Sequence, residues 1–156
     1  MWLVDAGIVS QCFNLSRPEL PLAGNVIDDE FKLYMRDTGL LVAMLEDGSQ
    51  RSIISGDLGI YKGAIYENVI ADVLGKLGKG LYYYARTNSF GIDFIVRMDE
   101  TATAVEVKAA ENTKSRSVST LVDHYGVKRA IKLSTKNIGG NERILSIPLY
   151  MAMFMG

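Results

Sequence analysis

Four residues in this sequence have the types and spacing for chemistry on a phosphate ester: Glu67, Asp93, Glu106 and Lys108. Side chains on a strand alternate faces, so Glu106 and Lys108 share one face when residues 103–110 are extended, with Val105 and Val107 opposite. An extended stretch over residues 90–98 groups Asp93 with Ile95 and Arg97 and turns Ile92, Phe94 and Val96 the other way. Asp99-Glu100-Thr101 is a tight connection that makes the two strands a hairpin. The hairpin predicts Asp93, Glu106 and Lys108 on one side of a sheet, with Glu67 joining them if its helix packs there. Charged residues inside such apolar strands are costly unless they pair or bind a metal.

The chemistry this set supports is metal-assisted phosphodiester hydrolysis. Asp93 and Glu106 offer hard oxygen ligands to Mg²⁺. The metal acidifies a bound water and neutralises charge on the phosphate. Lys108 orients that water or stabilises the transition state, and Glu67 completes the metal shell or accepts a proton. The competing reading is an ion-pair network that stabilises a hairpin, with Glu67 at the edge of a helix surface.

The elements that must position these residues are legible as periodicities. Residues 59–77 repeat with a helical period, with Tyr66, Ile70, Val73 and Leu77 on one arc and Glu67 at its edge beside Leu74. Asn68 falls on the Asp72 side and reads as a helix-surface residue. Gly75, Gly78 and Gly80 stop the helix. Residues 81–86, 90–98 and 103–110 follow as three strands, 117–125 as a helix with Val118, Leu121 and Val122 inward, and 129–134 as a fourth strand. Residues 137–141 form a turn, and 143–153 a final strand or short helix interrupted by Pro148. Upstream, residues 2–13 read as a short strand or a helix–strand unit. Residues 14–30 read as a loop, on Pro18, Pro21, Gly24, Asn25 and the run Asp28-Asp29-Glu30. Residues 31–35 read as a short strand, Asp37-Thr38 as a helix start, and residues 47–57 as a polar connection. The expectation is an α/β protein: an N-terminal helical and β extension over residues 1–57, then a domain over 58–156 with a mixed sheet flanked by helices.

The chain has 156 residues, 48% hydrophobic and 22% charged, which supports a real core and excludes intrinsic disorder. A net charge of −1 excludes a strong polyanion binder as a whole. Residues 1–78 hold 6 Lys and Arg against 11 Asp and Glu, whereas residues 79–156 hold 11 against 7. The basic second half can meet phosphates locally, along Lys114, Arg116, Lys128, Arg129 and Lys132, with ordinary surface charge as the alternative. Tyr82-Tyr83-Tyr84 offers base stacking, although alternation buries at least one ring. His124 reads as a solvated helix residue. One cysteine, Cys12, excludes a disulfide framework and reads as buried filler. The first five residues lack the basic start of a signal peptide. Residues 147–155 fall short of the roughly 20 apolar residues that span a bilayer. A cytoplasmic protein without a membrane partner is expected, with homo-oligomerisation open through the apolar tail and residues 47–57.

Asp93 followed by Glu106-Val107-Lys108, with a preceding helix that carries Glu67, resembles the PD-(D/E)xK nuclease-like superfamily. Lys32-Leu33-Tyr34, Asp37-Thr38-Gly39-Leu40, Glu67-Asn68-Val69, Asp93-Phe94-Ile95-Val96, Val105-Glu106-Val107-Lys108 and Pro148-Leu149-Tyr150 make the chain similar to the C-terminal domain of unknown function of prokaryotic AAA-type ATPases. Ile92 stands where the nuclease motif has proline, and Gly91 where the ATPase family often has an acidic residue. The resemblance implies a restriction-endonuclease-like core, catalytic roles for Glu67, Asp93, Glu106 and Lys108, and Mg²⁺ or Mn²⁺ at Asp93, Glu106 and Glu67. It also implies a nucleic-acid substrate and an ATPase module in cis ahead of these residues. No Gly-x-x-x-x-Gly-Lys-Ser/Thr occurs here, so ATP belongs to that upstream module, and residues 1–57 are expected to be the remnant that follows it. Two classes of function result: a metal-dependent nuclease-like domain, and a non-catalytic interaction or regulatory module on the same fold.

Overall fold

A computed structural model of the chain describes residues 1–87, 90–109 and 116–156. The described strands are β1 (Val9–Leu15), β2 (Val26–Met35), β3 (Tyr82–Thr87), β4 (Phe90–Met98), β5 (Thr101–Val107), β6 (Arg129–Ser134), β7 (Gly139–Gly140) and β8 (Ile144–Pro148). They form one mixed sheet in the order β2-β1-β3-β4-β5-β6-β8-β7. The described helices are α1 (Trp2–Asp5), α2 (Thr38–Ala43), α3 (Ser49–Ile54), α4 (Lys62–Lys76) and α5 (Arg116–His124). Among the described residues no helix is long and apolar enough to cross a membrane.

The sheet is covered on both faces. Ile70, Ala71 and Leu74 of α4 pack with Phe94, Val96, Val105, Val107, Ile131 and Leu133 on one side. Val118, Leu121 and Val122 of α5 pack with Ile92, Ile95, Ala104 and Ala130 on the other. Cover on both sides is why β4 and β5 read as nearly continuous apolar runs, and why a charge within them has few places to go. The α/β class and the order helix, three strands, helix, strand are as the periodicities predict. β5 ends at Val107 rather than at Ala110, which lies outside the described residues. α4 buries a wider arc than predicted: Ile65, Asn68, Ile70, Ala71 and Leu74 are buried, with Tyr66, Val73 and Leu77 partly so.

Three readings change, two upstream and one at the C-terminal end. Asp28, Asp29 and Glu30 lie within β2 rather than in a loop. The pairing register jumps from Phe13↔Phe31 to Asn14↔Ile27, so these three residues bulge outward at the sheet's edge. Exposed charge on a bulged edge strand prevents pairing with other chains, which is why an acidic run survives there. The polar connection over residues 47–57 contains α3. Residues 143–153 are neither one strand nor one helix: β8 ends at Pro148 and a 3₁₀ helix over Leu149–Phe154 follows.

Asn68 also departs from expectation, being only 3% exposed. Its amide oxygen accepts the Met35 N–H at 2.8 Å, and its amide nitrogen donates to the Met35 carbonyl and to Thr38 Oγ1, each at 3.0 Å. The side chain thus acts as one extra residue of strand, binding α4 to the end of β2 and the start of α2. Helical periodicity could not show this, because an amide with a backbone-like partner is as buriable as an apolar group. Asn68→Leu is expected to lower the unfolding free energy by about 1–3 kcal/mol, since it removes the partner of two half-buried backbone groups of Met35. Lys76→Ala, which breaks a surface pair with Asp72 on the same helix, should cost about 0.5 kcal/mol or less. Urea denaturation of the two variants checks both.

Candidate functional site

The site begins at an irregularity in β4. Tyr82 pairs with Ile95 and Tyr84 with Ile92, so two steps along β3 face three along β4. Ile92 and Ile95 both pack on the α5 side, while Phe94 packs on the α4 side. The extra residue breaks the alternation at Asp93, which therefore does not simply share a face with Ile95 and Arg97 as a period of two predicts. The β4–β5 ladder runs from Met98↔Thr101 to Phe94↔Val105. Beyond that rung the Asp93 side chain takes over, and its Oδ2 accepts the Val107 N–H at 2.7 Å.

β5 keeps a regular register with β6 through Val107↔Leu133. Val105 and Val107 enter the α4-side core, so alternation turns Glu106 to the α5 side with Ala104. Glu106 is buried, and Lys108 Nζ lies 2.5 Å from its Oε1. The Lys108 N–H donates to the Leu133 carbonyl at 2.8 Å and holds the end of β5 against β6. Asp93 thus meets the backbone between Glu106 and Lys108 where β4 and β5 part, and the charge of Glu106 reaches it. The Asp93 carboxyl is pushed up to about 7, first by burial and then by the charges of Glu106 and Glu67, with the Val107 N–H and Lys32 pulling the other way.

Glu67 approaches this group from α4. It is half-buried on α4, on the opposite face of the sheet from Glu106. Its Oε2 accepts the Tyr34 hydroxyl at 3.0 Å and lies 3.6 Å from Lys32 Nζ. Its charge reaches Asp93, but among the described residues no three His, Cys, Asp or Glu are grouped to hold a metal ion. Lys32 and Tyr34 are neighbours of the site that sequence reasoning did not assign to it. The available signal was their spacing of two in a stretch already read as a strand. Tyr34 is buried, its ring centroid is 5.5 Å from that of Phe94, and its phenol is pushed up by burial and by Glu67. Cys12, paired with Lys32 across β1 and β2, is buried as expected, and burial pushes its thiol up to about 12.

The other candidates are dispersed. Lys132 is the register partner of Glu106 on β6. Lys128, Arg129 and Arg116 are exposed. Arg129 lies 3.8 Å from Asp99, at the hairpin tip. Lys114 lies outside the described residues. Tyr84 is buried, Tyr82 and Tyr83 are half-buried, and His124 is exposed on α5.

No curated protein and no solved structure matches the chain. Residues 1–51 match the model of a domain of unknown function, DUF8612. Residues 62–150 match the model of a second domain of unknown function, DUF4143, which is commonly found with AAA ATPase domains. That match takes in α4, β3 to β6, and each of Glu67, Asp93, Glu106 and Lys108, and it spans more than half of the sequence: the chain belongs to the DUF4143 family.

Proposed function

We propose that this domain is a nuclease-like module of a cytoplasmic AAA-type ATPase, with a metal-assisted phosphodiester-cleaving site at Asp93, Glu106 and Lys108 that acts on nucleic acid. The observation that carries this reading is the enclosed Asp93–Glu106 pair with the Lys108 ammonium on Glu106. The succession α4, β3, β4, β5, α5, β6 supports a restriction-endonuclease-like core, in keeping with the resemblance to PD-(D/E)xK nucleases.

The donor set fits a hard divalent cation. Mg²⁺ keeps several waters and needs only one or two carboxylates from the protein, and Asp93 and Glu106 are two carboxylates, the charge of Glu106 raising the cost of ionising Asp93. Mg²⁺ or Mn²⁺ there would acidify a water and neutralise phosphate charge. The protein's own contributions are more definite. The Val107 N–H fixes the orientation of the Asp93 carboxylate. Lys108, now on Glu106, has further N–H donors to give to a non-bridging phosphate oxygen as charge develops there. Glu67 acts on Asp93 through its charge. The Lys108–Glu106 and Lys32–Glu67 pairs favour a second reading, a non-catalytic regulatory module whose ion pairs serve the fold.

Stability against pH tests the charge pattern. Below about pH 4 Asp93 is protonated in both folded and unfolded chains, and its contribution is fully present. It is lost as pH rises through the folded value of about 7. The metal-free melting temperature therefore falls between about pH 5 and about pH 8, and Asp93→Asn, which keeps an acceptor for Val107, flattens the fall and gains about 5 °C at the upper end. Millimolar Mn²⁺ should raise the melting temperature of the native chain at about pH 8 and leave Asp93→Asn unmoved. Single-turnover nicking of plasmid DNA with Mg²⁺ or Mn²⁺ separates the two readings. Cleavage that drops at least about a hundredfold in Asp93→Ala and Lys108→Ala supports the nuclease. No cleavage, with no Mn²⁺ stabilisation, leaves the regulatory module.

A further inference from the structure

β2 belongs to the N-terminal hairpin, yet it touches Glu67 of the following domain. Lys32 and Tyr34 lie on the α4 side of the sheet and meet the same atom, Oε2 of Glu67, at 3.6 and 3.0 Å. Lys32 Nζ also lies 5.1 Å from the centre of the Tyr83 ring. Successive residues of α4 grip this strand: Glu67 takes Lys32 and Tyr34, and Asn68 takes Met35. A single exposed Lys–Glu pair is weak and rarely fixed in place. Here a phenol hydroxyl and an aromatic face fix the two partners, and the ammonium's field reaches both Asp93 and Cys12.

We propose that Lys32 is a positioning residue of the acidic site: its ammonium, held on Glu67, is the resident counter-ion of Glu67 and Asp93, in competition with a divalent cation. The site is then composite, with its carboxylates in the segment matched at residues 62–150 and its internal cation in the segment matched at residues 1–51. The competition rests on the metal reading above, but the counter-ion role does not.

A double-mutant cycle in metal-free buffer at about pH 8 tests the counter-ion role. Lys32→Met is expected to lower the melting temperature, and the loss should shrink to less than about half in Glu67→Gln and in Asp93→Asn backgrounds, because the charge it compensated is gone. Lys32→Arg should restore the native value. An equal loss in all backgrounds, or no loss, overturns the role, since a lysine that only packs its stem does not sense the carboxylates. Mn²⁺ binding followed by electron paramagnetic resonance tests the competition. Lys32→Met should bind about fivefold tighter than the native chain, as expected on removing a nearby positive charge. Unchanged or weaker binding overturns the competition. Absence of Mn²⁺ binding in every variant overturns both it and the metal reading, while the cycle still decides the counter-ion role.

Discussion

Two carboxylates held close together in a protein interior repel one another, and something must offset that repulsion. This constraint organises the middle of the molecule. Asp93 and Glu106 arise on adjacent strands of a sheet covered on both faces. The β4–β5 ladder ends at the rung before them, and Asp93 takes the Val107 N–H that the ladder releases. Lys108 closes on Glu106 from the same strand. Lys32, on β2, lowers the cost of charge at Asp93. Replacing buried charges by apolar residues of similar volume is often neutral or stabilising, so stability alone does not call for two acids here.

The N-terminal hairpin is the second support. β1 and β2 join the sheet beside β3. Asn68 seals the junction by treating Met35 as a ladder partner. Tyr34 packs its ring against Phe94 and gives its hydroxyl to Glu67, which links the hairpin to the bulge on β4. The hairpin thus contacts one of the acidic residues, Glu67, directly, through Lys32 and Tyr34.

Much of this was legible in the sequence, and the exceptions share a cause. The strands β3 to β6 and both flanking helices declare themselves through periodicity, because burial on one or both faces leaves a repeating apolar trace. The pairing of Glu106 with Lys108 follows from a spacing of two in a regular strand. The direction of Asp93 does not, because a single extra residue in β4 resets the alternation, and a bulge has no fixed signature. Glu67 was readable as an edge residue of its helix, but its partners Lys32 and Tyr34 are set by the pairing order β2-β1-β3, a non-local fact. Asn68 was hidden because its burial depends on backbone groups far away in sequence.

The most direct measurement is anomalous diffraction from a crystal soaked in Mn²⁺. One Mn²⁺ peak in bonding distance of both the Asp93 and Glu106 carboxylates, with Lys108 displaced from Glu106, is the predicted result. A map with no such peak, in which Lys108 still holds Glu106 and Asp93 still holds only Val107, would contradict a metal-dependent site.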